Sequence, residues 1–193
     1  MTEAEIIQGC KSGDRRAQKA LYDRYAPKML GIVRRYVSRL DEAEDLLVEG
    51  LFKALDKIDS YQEQGSFEGW IRRIVVNEAL MYLRKNFALK QAADLSDINP
   101  SAFSIRPRAA EDLAAQDILD LLDQLPTGYR TVFNLYVIEG YKHREIAELM
   151  GVSINTSKSQ LILAKQRLRK LLKAINYPTA AYERLKTGSQ TTK

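Results

Sequence analysis

The sequence predicts an all-α protein: two small helical bundles joined by a flexible linker, the second bundle containing a helix-turn-helix. Three observations lead there. Proline and glycine are sparse, 5 and 10 among 193 residues, and no alternating β-branched run marks a sheet. Apolar residues recur at three- to five-residue intervals along most of the chain, the period of helices with one buried face. The one long interruption is 91–111, QAADLSDINPSAFSIRPRAAE, where two prolines, three serines and no apolar stripe have the composition of a tether.

Taken in order, Asp14 is placed to cap a helix running through RRAQKALYDRYAPKMLGIVRRYV. Its stripe is Ala17, Leu21, Tyr25, Leu30, Val33 and Val37, with Pro27 inside the span as a possible kink. Asp41 is expected to cap the next helix, EAEDLLVEGLFKALDKI, where Leu47, Leu51 and Leu55 repeat every four residues. Residues 59–66, DSYQEQGS, break the pattern as a loop, and a longer helix follows from about Phe67 to Phe87. Beyond the linker, 112–125 reads as an acidic amphipathic helix with Leu113, Ile118, Leu121, Leu122 and Leu125, stopped at Pro126. Three more helices are expected to about residue 176, with a frayed tail over 178–193. The expected domains are therefore 1–90 and 112–177, flanking the 91–111 linker.

Composition excludes several classes. With 45% apolar and 28% charged residues, the chain has the profile of a soluble globular protein. No apolar run reaches the length of roughly 18 residues that a membrane span needs, and MTEAEIIQGCKSGD lacks the basic-then-apolar order of a secretion signal. One cysteine, Cys10, and one histidine, His143, permit neither an internal disulfide nor a zinc site, and both are expected to be structural. The expectation is a cytoplasmic protein without metal or cofactor. Net charge is +5, unevenly spread: 91–127 carry 2 Lys/Arg against 7 Asp/Glu, while 128–177 carry 9 against 3. A basic C-terminal third suits a polyanionic partner.

The strongest local signal is HREIAELMGVSINTSKSQLILAKQRLRKLL, residues 143–172. Ile146, Ala147 and Met150 form a short apolar face, Gly151 can take a left-handed exit, and Ser153 can cap the next helix. That helix keeps a core stripe of Leu161, Ala164, Leu168, Leu171 and Ile175. From Ser153 to Lys173 it carries six basic residues and no acidic one. Short polar side chains early in such a helix can reach base edges in the major groove, and later cations can meet phosphates. Asn155, Thr156, Lys158, Ser159, Gln160, Lys165 and Arg167 are the candidate contacts.

The second informative stretch, residues 59–85, sets Tyr61, Gln62, Phe67 and Trp70 around a polar loop ahead of a helix bearing Arg72, Arg73, Asn77, Arg84 and Lys85. Aromatic platforms beside cations are what unpaired DNA requires: bases stack on rings while phosphates pair with Lys and Arg. Phe67 and Trp70 could equally be core residues clamping the loop.

With these motifs in place, the sequence resembles the extracytoplasmic function (ECF) sigma factors of bacterial RNA polymerase over about 5–88 and 112–172. The resemblance rests on Ala43, Glu44, Asp45, Leu46, Glu49, Lys53 and Ala54, then Phe67, Trp70, Ile71, Ile74, Asn77, Leu83, Arg84 and Lys85. In the second half it rests on Leu125, Pro126, Arg130, Val132 and Phe133, on Glu145, Ile146, Ala147, Gly151, Val152 and Ser153, and on Thr156, Lys158, Ser159, Leu161 and Ala164. It implies a non-enzymatic factor that directs promoter-specific transcription initiation. Glu44, Asp45, Glu49 and Lys53 would dock on the polymerase β′ clamp helices. The loop 59–66 and its helix would melt the −10 element and hold the non-template strand. The second domain would read the −35 element as duplex DNA near the β flap, the linker would thread toward the RNA exit channel, and a helical anti-sigma factor would inhibit the protein. The chain departs from the family at Val48, where Gln is common, and in the recognition helix, where Asn155-Thr156-Ser157-Lys158-Ser159-Gln160 replaces the usual Gly-Thr-Val-Lys-Ser-Arg and Gln160 stands where Arg is common.

Two rivals were weighed. Asp41, Glu42, Glu44, Asp45 and Glu49 crowd one helix start as in Mg²⁺-dependent nucleotide pyrophosphatases, although a helix dipole favours acids there without catalysis. A plain helix-turn-helix repressor would bind duplex DNA tightly without polymerase.

Overall fold

In a computed structural model, residues 1–92 and 115–174 are described, and all described elements are helical. The expected 93–111 portion of the linker, the start of the acidic helix before Ala115, and the tail lie outside the described residues. The chain divides into two compact units, Met1–Asp97 and Ile98–Lys193.

The first unit begins with a helix that the sequence pattern had not singled out, α1 (Glu3–Lys11). Thr2 and Glu5 cap each other's backbone N–H groups, satisfying two of the donors that a helix start leaves free. The Asp14 carboxylate accepts from Arg16 N at 2.8 Å and starts α2 (Arg15–Val33), as expected. α2 passes through Pro27, which lies on its exposed side, and ends at Val33; Tyr36 and Val37 are buried in the turn beyond it. The third helix differs from expectation at its start. α3 (Leu40–Asp56) is preceded by Arg39, not capped by Asp41, because Arg39 draws the Asp41 carboxylate outward into a 2.5 Å ion pair. A 3₁₀ turn (Ile58–Ser60) and an open loop lead to α4 (Phe67–Ala92), longer than the sequence suggested and overlapping the first two residues of the expected linker.

α4 is the pillar of this unit. Phe67, Ile71, Val75, Val76, Ala79 and Leu80 are all buried along one face, against α2 and α3. Gly50 fixes how closely α3 approaches: a β-carbon there would lie 2.9 Å from Val75 Cγ2 and 3.3 Å from Val75 Cα.

The second unit packs α5 (Ala115–Asp123), α6 (Thr127–Phe133) and α7 (His143–Met150) on α8 (Ile154–Ala174). Leu122, Leu125 and Ala164 form its core, flanked by Tyr129, Phe133 and Leu168. A half-buried ion pair, Arg130 to Asp123 at 2.5 Å, clasps α6 to α5. After α6 the backbone widens into a π-turn (Asn134–Ile138), closed by Glu139 N donating to Asn134 O. This turn presents Tyr136 to His143, whose rings stack at 4.5 Å between centroids. His143 Nδ1 in turn lies 2.9 Å from the Oγ of Ser157, which is fully buried. The Tyr136–His143–Ser157 chain thus ties the π-turn and α7 to the first turn of α8.

Two expectations follow from this packing. Gly50→Ala should destabilise the protein by about 1–2 kcal/mol through overpacking against Val75. Gly31→Ala, where a β-carbon meets nothing within 4 Å, should gain about 0.5 kcal/mol; urea denaturation of both variants measures the contrast. The second expectation concerns pH. Burial, then Lys158 and Lys165, hold the His143 imidazole below its ordinary value of 6.5. The folded chain therefore binds this proton less readily than the unfolded chain. Its contribution is intact above about pH 6.5 and falls as pH drops through that value. Denaturation midpoints at pH 7.5 and 5.5 should drop more for the wild type than for His143→Gln; equal losses would show that the clasp is not proton-linked.

Candidate functional site

The loop ahead of α4 is built on an aromatic cluster. Phe67 is fully buried, with Tyr25 edge-on at 5.6 Å, Tyr61 at 5.0 Å and Trp70 stacked at 5.6 Å and 12°. Tyr61 is 7% exposed, and its hydroxyl donates to Gly65 O at 2.9 Å, closing the loop on itself. Glu63 and Gly65 both take positive φ, 58° and 93°, the second a conformation natural to glycine. Ser66 then accepts from Gly69 N and starts α4. Tyr61 and Phe67 are thus both buried in the aromatic cluster that holds the loop, Phe67 as a core residue clamping it. Trp70 is half-buried and keeps part of its surface free, while Gln62, Glu63, Gln64, Gly65 and Ser66 are exposed.

Along α4, Trp70, Arg73, Asn77 and Arg84 fall on one side of the helix, within about 60° and over roughly 21 Å at 1.5 Å per residue. Arg73, Arg84 and Lys85 are exposed and Asn77 is half-buried. Met81, 53% exposed, sits within the same stripe and was missed from sequence; nothing in its type sets it apart from a core methionine at helical spacing.

The outward face of α3 has a different character. Glu44, Asp45 and Glu49 are exposed, and between them stand Val48 and Phe52, 55% and 69% exposed. Val48, the departure from the family pattern, is thus half of an apolar pair one turn apart. Lys53 is turned sideways, its ammonium paired with the Glu78 carboxylate of α4. Among the described residues no three His, Cys, Asp or Glu side chains gather as a metal site would require.

In the second unit the helix-turn-helix has the local geometry the sequence predicts. Gly151 is left-handed at φ 66°, ψ 34°. Ser153 Oγ accepts from Thr156 N at 2.9 Å. Asn155, Lys158, Ser159, Lys165 and Arg167 are exposed and Thr156 is half-buried. The Lys165 ammonium lies 5.9 Å from the centroid of the Tyr136 ring. Gln160 is the exception. Its Oε1 is buried without a hydrogen-bond partner, and its amide packs so close to Gly128 of α6 that a β-carbon there would meet Nε2 at 3.0 Å. The side chain expected to contact bases is thus half-buried and packed toward Gly128 of α6. Ile162 and Leu163, 57% and 41% exposed, share the outward side instead. No described helix is long and apolar enough to cross a membrane. Cys10 is buried, and burial, then Asp14, pushes its thiol pKa up, as suits a packing role.

Comparison with known proteins agrees with this geometry. Residues 21–87 match the sigma-70 region 2 family and residues 115–168 the sigma-70 region 4 family. The chain is 28% identical over 178 residues to the ECF RNA polymerase sigma-E factor of Haemophilus influenzae, covering 87% of this chain and 94% of that protein. It is 25% identical over 184 residues to the RNA polymerase sigma-H factor of Pseudomonas aeruginosa, covering 90% and 95%. Among solved structures it resembles the sigma factor RpoE of Bartonella quintana, crystallised with the anti-sigma factor NepR, at 29% identity and a TM-score of 0.52, covering 80% of this chain and 96% of that one. With both sigma-70 regions present in order on two helical units, the chain belongs to the ECF sigma factors, which direct transcription initiation by RNA polymerase.

Proposed function

We propose that residues 1–90 bind core RNA polymerase and open the −10 element, that 112–177 read the −35 element as duplex DNA, and that 91–111 connect the two. The observation that carries this reading is the outward face of α8: its left-handed, capped entry at Gly151 and Ser153 is exposed, and six cations follow without one acid. A phosphate backbone is the partner such a face favours. Lys158, Lys165 and Arg167 would meet phosphates, and Asn155, Thr156 and Ser159 base edges.

In the first unit, α3 is the proposed polymerase-docking helix. Its exposed Val48 and Phe52 supply apolar area and Glu44, Asp45 and Glu49 a charge pattern suited to a basic protein surface, the clamp helices of β′. Phosphates would be repelled there. The α4 stripe of Trp70, Arg73, Asn77 and Arg84, with Lys85 beside it, would take the melted non-template strand, with Gln62 in the loop beside it. Tyr61 and Phe67 would act by fixing that loop. RpoE of Bartonella quintana was crystallised with an anti-sigma factor, and a helical inhibitor of this kind is the corresponding proposal here.

Run-off transcription tests the reading. Core polymerase with this protein should yield discrete transcripts from a subset of genomic fragments that neither component transcribes alone. Tight duplex binding without polymerase, and no new transcripts with it, would indicate a repressor. In the holoenzyme, Lys158→Ala should weaken promoter binding and reduce the slope of log K against log salt by about 0.9, the share of one phosphate contact; an unchanged slope removes Lys158 from the phosphate contacts.

A further inference from the structure

With Gln160 turned into the domain, the exposed face of α8 has a different centre. Asn155, Ser159, Gln166 and Lys173 lie within about 30° of the line opposite the buried Ser157, Leu161 and Ala164 at 100° per residue, with Ile162 and Leu163 about 50° to either side of it. Ile162 is the more exposed of these two, with more than half of its surface in solvent. Polar Asn155 and Ser159 precede it by two turns and one turn, and cations Lys158, Lys165 and Arg169 flank it. Scattered surface apolar residues need no explanation. A β-branched one beside the polar line of an acid-free helix face is different: water is a poor partner for it, and so is a second protein helix among so many cations.

We propose that Ile162 is a specificity-determining residue that contacts the C5-methyl group of a thymine in the major groove. This rests on reading α8 as the duplex-DNA helix. The charge around Ile162 selects a polyanion, and the thymine methyl is the apolar feature that base pairs present in the major groove. Reach is adequate, because Asn155 and Ile162 are about 10 Å apart along the axis, within a groove about 12 Å wide. Leu163, at the edge of the same face, limits the space on one side. The base preference of this helix is thereby set in part by shape and apolar contact, where hydrogen bonds alone would have been expected from Asn155 and Ser159.

The test uses the full chain bound to core polymerase and a pool of duplexes with a randomised upstream segment, made once with thymidine and once with deoxyuridine, which pairs identically and lacks only the methyl. The wild type should enrich thymine at one or two upstream positions, and the preference there should fall about fourfold per methyl in the deoxyuridine pool. Ile162→Ala, a substitution on an exposed helical face, should lose preference at those positions, ignore the deoxyuridine exchange and keep its other preferences. A thymine preference that survives either the exchange or the substitution overturns the inference, as does upstream enrichment without thymine. A wild-type holoenzyme that enriches nothing upstream removes the reading of α8 itself, and this inference with it.

Discussion

Each unit depends on one long helix whose buried stripe the shorter helices must share. Helices of eight or nine residues, such as α1, α5 and α7, are too short to hold together alone in water. They persist because longer helices offer them apolar faces, α2 to α1 and α8 to α5 and α7. On α4 this face runs from Phe67 to Leu80, and on α8 it is Ser157, Leu161 and Ala164 with Leu168 beside them. Once that face is committed, the opposite one is fixed in direction by the helical period. The stripes Trp70–Arg73–Asn77–Arg84 and Asn155–Ser159–Ile162–Gln166 are therefore consequences of packing. The outward chemistry is held as firmly as the core, which is what a surface that must match the spacing of a nucleic acid requires.

Local chemistry was the most legible part of the sequence. Asp14, Gly151 and Ser153 each act on atoms within a few residues, so their roles could be read without knowing the fold, and each is found in place. α1 carried an equally local signal, the Thr2–Glu5 capping box. Where a rival bond exists, the local rule fails: Asp41 is a good cap by type, yet Arg39 claims its carboxylate. The π-turn at 134–138 was not legible at all. Its residues are ordinary helix and core types, and the extra residue per turn is absorbed to bring Tyr136 over His143.

The site residues divide along the same line. Aromatic identity could not say which rings would form the core, because that depends on Tyr25, some forty residues from Phe67 in the chain. Trp70 escapes full burial by lying at the rim of the same cluster. Gln160 was legible in principle. It precedes the buried Ala164 by four residues and so shares its side of the helix. The family arginine speaks only to residue type, whereas the helical period puts the position inward. Gly128 then makes room for the amide on α6. An arginine at 160 would have to carry its charge past that contact to reach solvent, so the substitution is better understood as a packing adjustment between α6 and α8 than as a lost DNA contact.

Charge separates the partners within the first unit. α3 and α4 pack directly on one another at Gly50 and Val75, yet their outward faces are opposite in sign: Glu44, Asp45 and Glu49 on one, Arg73, Arg84 and Lys85 on the other. The Lys53–Glu78 pair lies where the two helices meet. It neutralises the seam, so neither field is diluted by a stray opposite charge projecting from its own face. With a Debye length of about 8 Å at physiological salt, the two faces act on partners almost independently. On the proposed reading, a phosphate backbone would be steered away from α3 and toward α4, and a basic protein surface the other way. Val48 and Phe52 then add what charge alone lacks: an uncharged contact area that favours a protein partner on the acidic side and gives a polyanion nothing to bind.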